Sequence, residues 1–318
     1  SIKMQLHDLN NITDLVPVTE PNQVTEPTIK NYGGNLDPFM EVHKEQLTFP
    51  DGSINPMVYG VRLGTQDKLL AGNVSANYLL VPNRELMDVA MEIMAVSGLK
   101  WEHEKRFFNN KGQFRDIYFC KDGGLEKPVP NVGDLVGLVL EVQNSYNGST
   151  GAGIRIYFQR YICKNGMTSN KYGFGYMFSH NKGQSLNWKD EIFQATNMLR
   201  NSSEYHLTNF VEACGKLQKP VDNTEIKLIR EKYIPKGTGG NQLPIQQFGQ
   251  LMDKYYEDGD FTAWGLLNAG TSVLWHPEKL TNANFSNNGV VVDGLLQYGK
   301  DTEEATFINP NQTDMFQS

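Results

Sequence analysis

Cysteine is scarce in this chain. The three present, Cys120, Cys163 and Cys214, lie far apart with no C-x-x-C spacing. Such a set suits a reducing compartment and argues against a disulfide framework or a zinc site. No apolar run approaches the roughly 20 residues of a bilayer-spanning helix. The first ten residues show no basic stretch followed by an apolar one, so no secretory leader is expected and the expected location is cytoplasmic, without membrane attachment. Also missing are an H-E-x-x-H pair, a close Cys/His set and a G-x-S-x-G elbow. The glycine-rich stretch Gly148–Gly153 lacks the Gly-Lys-Ser/Thr end of a phosphate loop and leads into a strand, so it reads as a hairpin loop. These absences leave no candidate catalytic residue, resident metal or cofactor, and the chain reads as a non-enzyme. Asp116, Asp134 and Glu141 fall on predicted strands and would be the carboxylates of a magnesium-dependent nuclease. Nothing in their spacing demands a metal.

What is present supports a folded core. Hydrophobic residues make up 39% and charged residues 20% of 318 residues, outside the range of wholly disordered chains. The net charge of −7 is unevenly spread. Residues 1–98 carry −6, residues 99–183 carry +5 and residues 184–318 carry −6. The middle segment is a basic island between acidic flanks. It reads either as a footprint for an anionic partner or as an ordinary fluctuation of charge along a chain.

The pattern of periods and breakers predicts an α+β fold: an antiparallel sheet of about four strands flanked by helices, with a mainly helical C-terminal half. Residues 1–35 read as an extended N-terminal arm and 36–235 as the α+β core domain. A helical part follows over 236–300, after a flexible joint at Lys236–Gly240. An acidic, disordered tail covers 301–318. A helix is expected from Asn83, as its N-cap, to Gly98. The four strands are expected at Leu99–Phe108, Phe114–Cys120, Leu135–Gln143 and Ile154–Cys163, the third of them central because it is mostly apolar. Further helices are predicted over Trp188–Arg200, Ser203–Leu217 and Thr224–Tyr233, one opened by Pro244, and a last strong one over Phe261–His276.

Three segments then stand out together: Asn144–Ser149 (NSYNGS), Arg160–Met167 (RYICKNGM) and Thr262–His276 (TAWGLLNAGTSVLWH). In order and spacing they resemble the phage- and plasmid-borne family called domain of unknown function 932, over roughly Tyr78 to His276. The resemblance implies a mobile-element context in a bacterial host cell and supplies no catalytic residues. The order of strands followed by a long helix is also similar to the β-β-β-α core of phage-type single-strand annealing proteins, a likeness of topology alone.

The fourth predicted strand carries the functional reading. Ile154, Ile156, Phe158, Arg160 and Ile162 share one side, a core face on which Arg160 would need Glu141 or Asp134 as partner. Arg155, Tyr157, Gln159, Tyr161 and Cys163 share the other. That second face either stacks bases and pairs phosphates, as single-strand binders do, or is half-buried with its tyrosines packed under a helix. On the first reading Lys105, Arg106, Arg115 and Lys164 form a positive rim. The expected partner is then single-stranded DNA, with strand annealing and assembly as a homo-oligomer as further expectations. The acidic tail ending in Asp314-Met315-Phe316 is similar in character to the tails by which single-strand DNA-binding proteins recruit protein partners. The alternative is a non-enzymatic protein-interaction factor, such as an inhibitor of host defence or a virion-associated protein.

Overall fold

The computed structural model describes residues 36–65, 69–121, 125–180, 187–197, 199–235 and 243–307. The expected N-terminal arm, the Lys236–Gly240 joint and residues 308–318 of the expected tail lie outside the described residues.

A small antiparallel sheet comes first: β1 (Val42–Thr48), β2 (Ile54–Leu63) and β3 (Leu69–Ser75). Helix α1 (Asn83–Val96) follows. Asn83 is not its cap. The residue before the first turn is Pro82, and the Asn83 amide turns inward. It donates to the Pro38 carbonyl and accepts from Asn144 Nδ2, both at 2.8 Å. A buried amide with two partners inside the protein outweighs the capping bond. Gly98, at φ 69°, stops the helix as its position in the sequence suggests.

The main sheet has seven strands where about four were expected: β4 (Lys100–Phe108), β5 (Gln113–Lys121), β6 (Glu126–Pro128), β7 (Leu135–Ser145), β8 (Ala152–Arg160), β9 (Asn165–Met167) and β10 (Phe174–Phe178). The order is β10-β8-β7-β5-β4, all antiparallel. Strand β6 pairs with β7 where β5 has left it, and β9 and β10 pair with successive parts of β8. The missed strands have three to five residues, too short to show a period. Strand β7 is central, as its apolar run implies, and buried from Val136 to Ser145. Strand β8 ends at Arg160, short of the expected Cys163. The chain turns there, with Lys164 at φ 50° and Ile162 71% exposed.

Helices then cover both faces of the sheet. They are α2 (Trp188–Asn197), α3 (Leu199–Gly215), α4 (Asn223–Leu228) leading into a π-helical turn at Ile229–Tyr233, α5 (Ile245–Asp258), α6 (Ala263–Trp275) and α7 (Asn282–Phe307). The face of Ile154, Ile156 and Phe158 meets the first group: Phe158 stacks on Phe210 of α3 at 4.0 Å, and Phe178 packs on Trp188 of α2. The face of Tyr157 lies under the last two helices. The Tyr157 ring sits edge-on to Trp275 of α6 at 6.0 Å, and Arg115 Nε donates to Asn282 of α7 at 2.8 Å. Helix α7 starts inside the helical part expected over 236–300, but the sequence did not mark it as a separate helix. It opens on NANFSNNG, residues that form helices poorly, and is held by the burial of Val291, Val292, Leu295, Leu296 and Tyr298. It runs through Asp301 to Phe307, so the first seven residues of the expected disordered tail are helical.

Strand β9 reaches α6 only because residue 166 is glycine. A Cβ there would stand 2.5 Å from the Trp275 ring. Gly166→Ala is expected to destabilise the protein by about 1–3 kcal/mol through overpacking. Gly249→Ala, in α5 with nothing within 4 Å, is expected to stabilise it by about 0.5–1 kcal/mol. Denaturant midpoints of the two variants check the contrast.

Candidate nucleic-acid interface

The structure divides the residues expected to form one binding face. Tyr157 is 1% exposed and Gln159 is fully buried, so neither reaches a base. Their burial is the packing of tyrosines under a helix that the sequence left open as the second possibility. Lys105 and Arg115 are each 4% exposed and belong to the interior instead of a rim. Arg106 is half-buried on the opposite face, held by both carboxylate oxygens of Asp116 at 3.1 and 2.9 Å. The half-buried Tyr161 donates its hydroxyl to the Cys120 carbonyl at 3.0 Å. Lys164 is exposed at the turn after β8. Arg155 alone of the set lies half-exposed in a cleft.

A polar face buried under helices must pair its own groups. A β-bulge between His103 and Lys105 interrupts the register with β5, and both Glu104 and Lys105 engage Trp275. The indole Nε1 donates to Glu104 Oε1 at 2.9 Å, and Lys105 Nζ donates to the Trp275 carbonyl at 2.7 Å. Arg115 Nη1 donates to Glu141 and, at 3.0 Å, to Gln143 Oε1, while its guanidinium lies 4.5 Å from the centre of the Phe285 ring. Arg160 pairs with Asp134 at 2.6 Å, one of the two partners the sequence offered. Asp116, Asp134 and Glu141 are thus each committed to a guanidinium. Asp116 and Glu141 sit one register position apart across β5 and β7 and so face opposite sides of the sheet. Among the described residues no group of three or more His, Cys, Asp or Glu is placed to hold a metal ion.

The accessible cations gather elsewhere. A cleft of about 360 Å³ opens between the sheet, the 168–171 segment, the π-helical turn and α7, and receives Arg115, Arg155, Lys171 and Lys232. Asp293, the only carboxylate lining it among the described residues, accepts from the Ser169 hydroxyl and the Asn170 backbone N–H. Lys171 also lines a second cleft of about 470 Å³, together with Tyr172, Tyr205, His206, Lys216 and Lys300. One stripe of α7 floors both: Ser286, Val290, Asp293 and Gln297 in the first and Lys300 in the second. At 1.5 Å per residue this stripe is about 21 Å long. Tyr205 is 67% exposed, and His206 stacks on Phe174 at 4.3 Å. Lys216 meets Glu303 at 2.5 Å and Lys232 meets Asp301 at 3.7 Å; such exposed pairs are weak and open to exchange for another anion. Sequence reasoning missed Lys171, Tyr172, Tyr205, Lys216 and Lys300. The Lys171-Tyr172 pair inside the basic island was the available signal. Lys300 had none, because the helix that places it was not predicted.

The family model described as Domain of unknown function (DUF932) matches residues 71–293. The chain belongs to this family. No curated protein and no solved structure matches the chain. The matched region takes in most of both clefts, leaving out Gly294 and Gln297 of the first and Lys300 of the second. The three segments that carried the resemblance hold the fold together. Asn144 donates to the Val81 carbonyl and to Asn83 at 2.8 Å, and Tyr146 accepts from the Asn83 amide at 2.8 Å. Gly166 lies against Trp275, Thr262 caps α6 by accepting from the Gly265 amide at 3.0 Å, and His276 Nε2 meets the Cys163 carbonyl at 3.3 Å. In this chain those segments therefore contribute packing and capping residues.

Burial pushes the Glu104 carboxyl above its ordinary range, against the opposing pull of Lys105 and the Trp275 bond. A raised folded-state value means that the folded protein holds a proton which the unfolded chain releases at lower pH. The stabilisation is full below the ordinary carboxylate range and is lost as pH rises through the folded-state value. Glu104→Gln keeps an acceptor for the indole and cannot ionise. It is expected to match the wild type in acid and to exceed it in stability at neutral pH, as denaturant midpoints at the two conditions will show.

Proposed function

We propose that this protein binds single-stranded nucleic acid, DNA in the first instance, along the groove that α7 floors. The observation that carries the reading is the meeting of the two clefts at Lys171, which puts cations and accessible aromatic rings on one track. Single-strand binders without strong sequence preference combine these two elements: a positive groove follows the phosphates and rings stack the bases. Here Arg155, Lys171, Lys216 and Lys300 supply the charge, and Tyr172, Tyr205 and His206 supply the rings. The groove takes over the role first assigned to the buried Tyr157 face and retains Arg155 from it. Strand annealing in the cytoplasm of a bacterial host, with the protein acting as a homo-oligomer, is the activity such a track would serve in a mobile element.

Fluorescence anisotropy with a labelled oligo-dT tests the proposal. Affinity is expected to fall steeply with salt, as phosphate contacts release counterions. Tyr205→Ala is expected to weaken binding by about 1–3 kcal/mol, roughly 5- to 150-fold, with little change in the salt slope. Lys171→Ala is expected to weaken binding and to lower the salt slope by about one contact. Absence of binding at low salt would overturn the reading.

A further inference from the structure

We infer that the first cleft, the deeper end of this groove, is a binding site for a phosphate monoester: the terminal phosphate of a nucleotide or of a strand end. The inference deepens the reading above and rests on it for its ligand class. Its basis is the way Arg115 is held. This arginine is 96% buried, yet it lines the cleft. Its Nε is fixed by Asn282 and its Nη1 by Glu141 and Gln143, and the Phe285 ring supports the plane. Its Nη2 has no hydrogen-bond partner among the described residues. A guanidinium locked in this way loses little further freedom when it donates to a ligand, which is the condition for strong phosphate recognition.

A second guanidinium comes from the same face of the sheet. Arg155 is register partner to Glu141 on β7, the residue that grips Arg115 from β5. Arg115 is opposite Gln143 on β7, so the two arginines stand on strands separated by one and two residues out of line, about 12 Å apart at the backbone, and both line the cleft. Asn170 accepts from Arg155 Nη2 at 2.9 Å, and no bond engages its Nε or Nη1 among the described residues. Lys171 and Lys232 complete the ring of cations. The carboxylates nearby are Glu141, Asp293 and Asp301. Glu141 is held by Arg115, Asp293 accepts from Ser169 and Asn170, and Asp301 accepts from Tyr233 and Gln297. Among the described residues, four cations against three carboxylates leave the cleft net positive. At about 360 Å³ it lies within the roughly 300–1,000 Å³ of small-molecule sites, with room for a nucleoside beyond the phosphate. Tyr233 and Pro235 on the π-helical turn side offer that nucleoside apolar contact.

The experiment compares four probes on the whole chain: inorganic phosphate, thymidine monophosphate, and one oligo-dT with either a 5′-phosphate or a 5′-hydroxyl. The expected result is a rise in thermal midpoint with the monophosphate, and about tenfold tighter binding of the 5′-phosphorylated strand, the effect of one added charge-assisted contact set. Arg155→Gln, on the rim and half-exposed, is expected to fold and to bring the ratio between the two strands to one. A rise with inorganic phosphate equal to that with the nucleotide would support the phosphate site and assign its source to free phosphate. Equal binding of the two strands by the wild type, with no response to the monophosphate, would overturn this inference while leaving the strand track standing. A response to the monophosphate with no oligonucleotide binding would do the reverse.

Discussion

Both faces of the β7–β8 hairpin are covered by helices, and most of the polar side chains that the sequence places on those strands are enclosed with it. This constraint arranges the rest. It commits Arg115 to Glu141 and Gln143, sends Arg160 to Asp134, and seats Tyr157 against Trp275. It also explains the bulge at Glu104, which lets two successive residues of β4 serve one tryptophan. Buried ionic and amide groups of this kind add little net stability over apolar ones. They tie α6 and α7 to the sheet, since Glu104 and Lys105 pair with Trp275 of α6 and Arg115 with Asn282 of α7.

The same constraint decides how much was legible in advance. The α+β class, α1 with its Gly98 stop, the central β7, the β7–β8 turn and the α6 helix all follow from local signals: breakers, an apolar run, a cap residue. Alternation on β8 was also read correctly as two faces. What alternation cannot say is whether a polar face meets water or another layer, since a period of two reports sidedness and not cover. The answer lay in α7, whose asparagines and glycines hide it from any propensity argument and whose contacts reach from the neighbouring Trp275 back to Phe107 on β4. The short strands β6, β9 and β10 were missed because they form only as neighbours of longer ones.

The candidate site follows the same logic. Its strongest cation by position, Arg155, was named from the strand pattern. Lys171 and Tyr172 were in the basic island but outside any predicted element. Tyr205 lies on α3, Lys216 just past its end and Lys300 on α7, elements that meet only in the tertiary structure. The three segments that carried the resemblance gave no help toward the groove, since they cap helices and close turns. In this protein the recognisable residues and the candidate functional residues are largely different sets.

The chain's cysteines have a practical consequence. Burial encloses Cys120 and Cys214 and raises both thiols, the first to about 11, whereas Cys163 stands exposed on the turn beyond β8. With only three cysteines in the sequence, the native chain already carries a single addressable thiol. A thiol-reactive fluorophore would therefore attach at one defined point, on the turn that follows the strand bearing Arg155 and away from the residues that line the groove. That makes the unmodified sequence its own reporter for distance measurements to a labelled ligand.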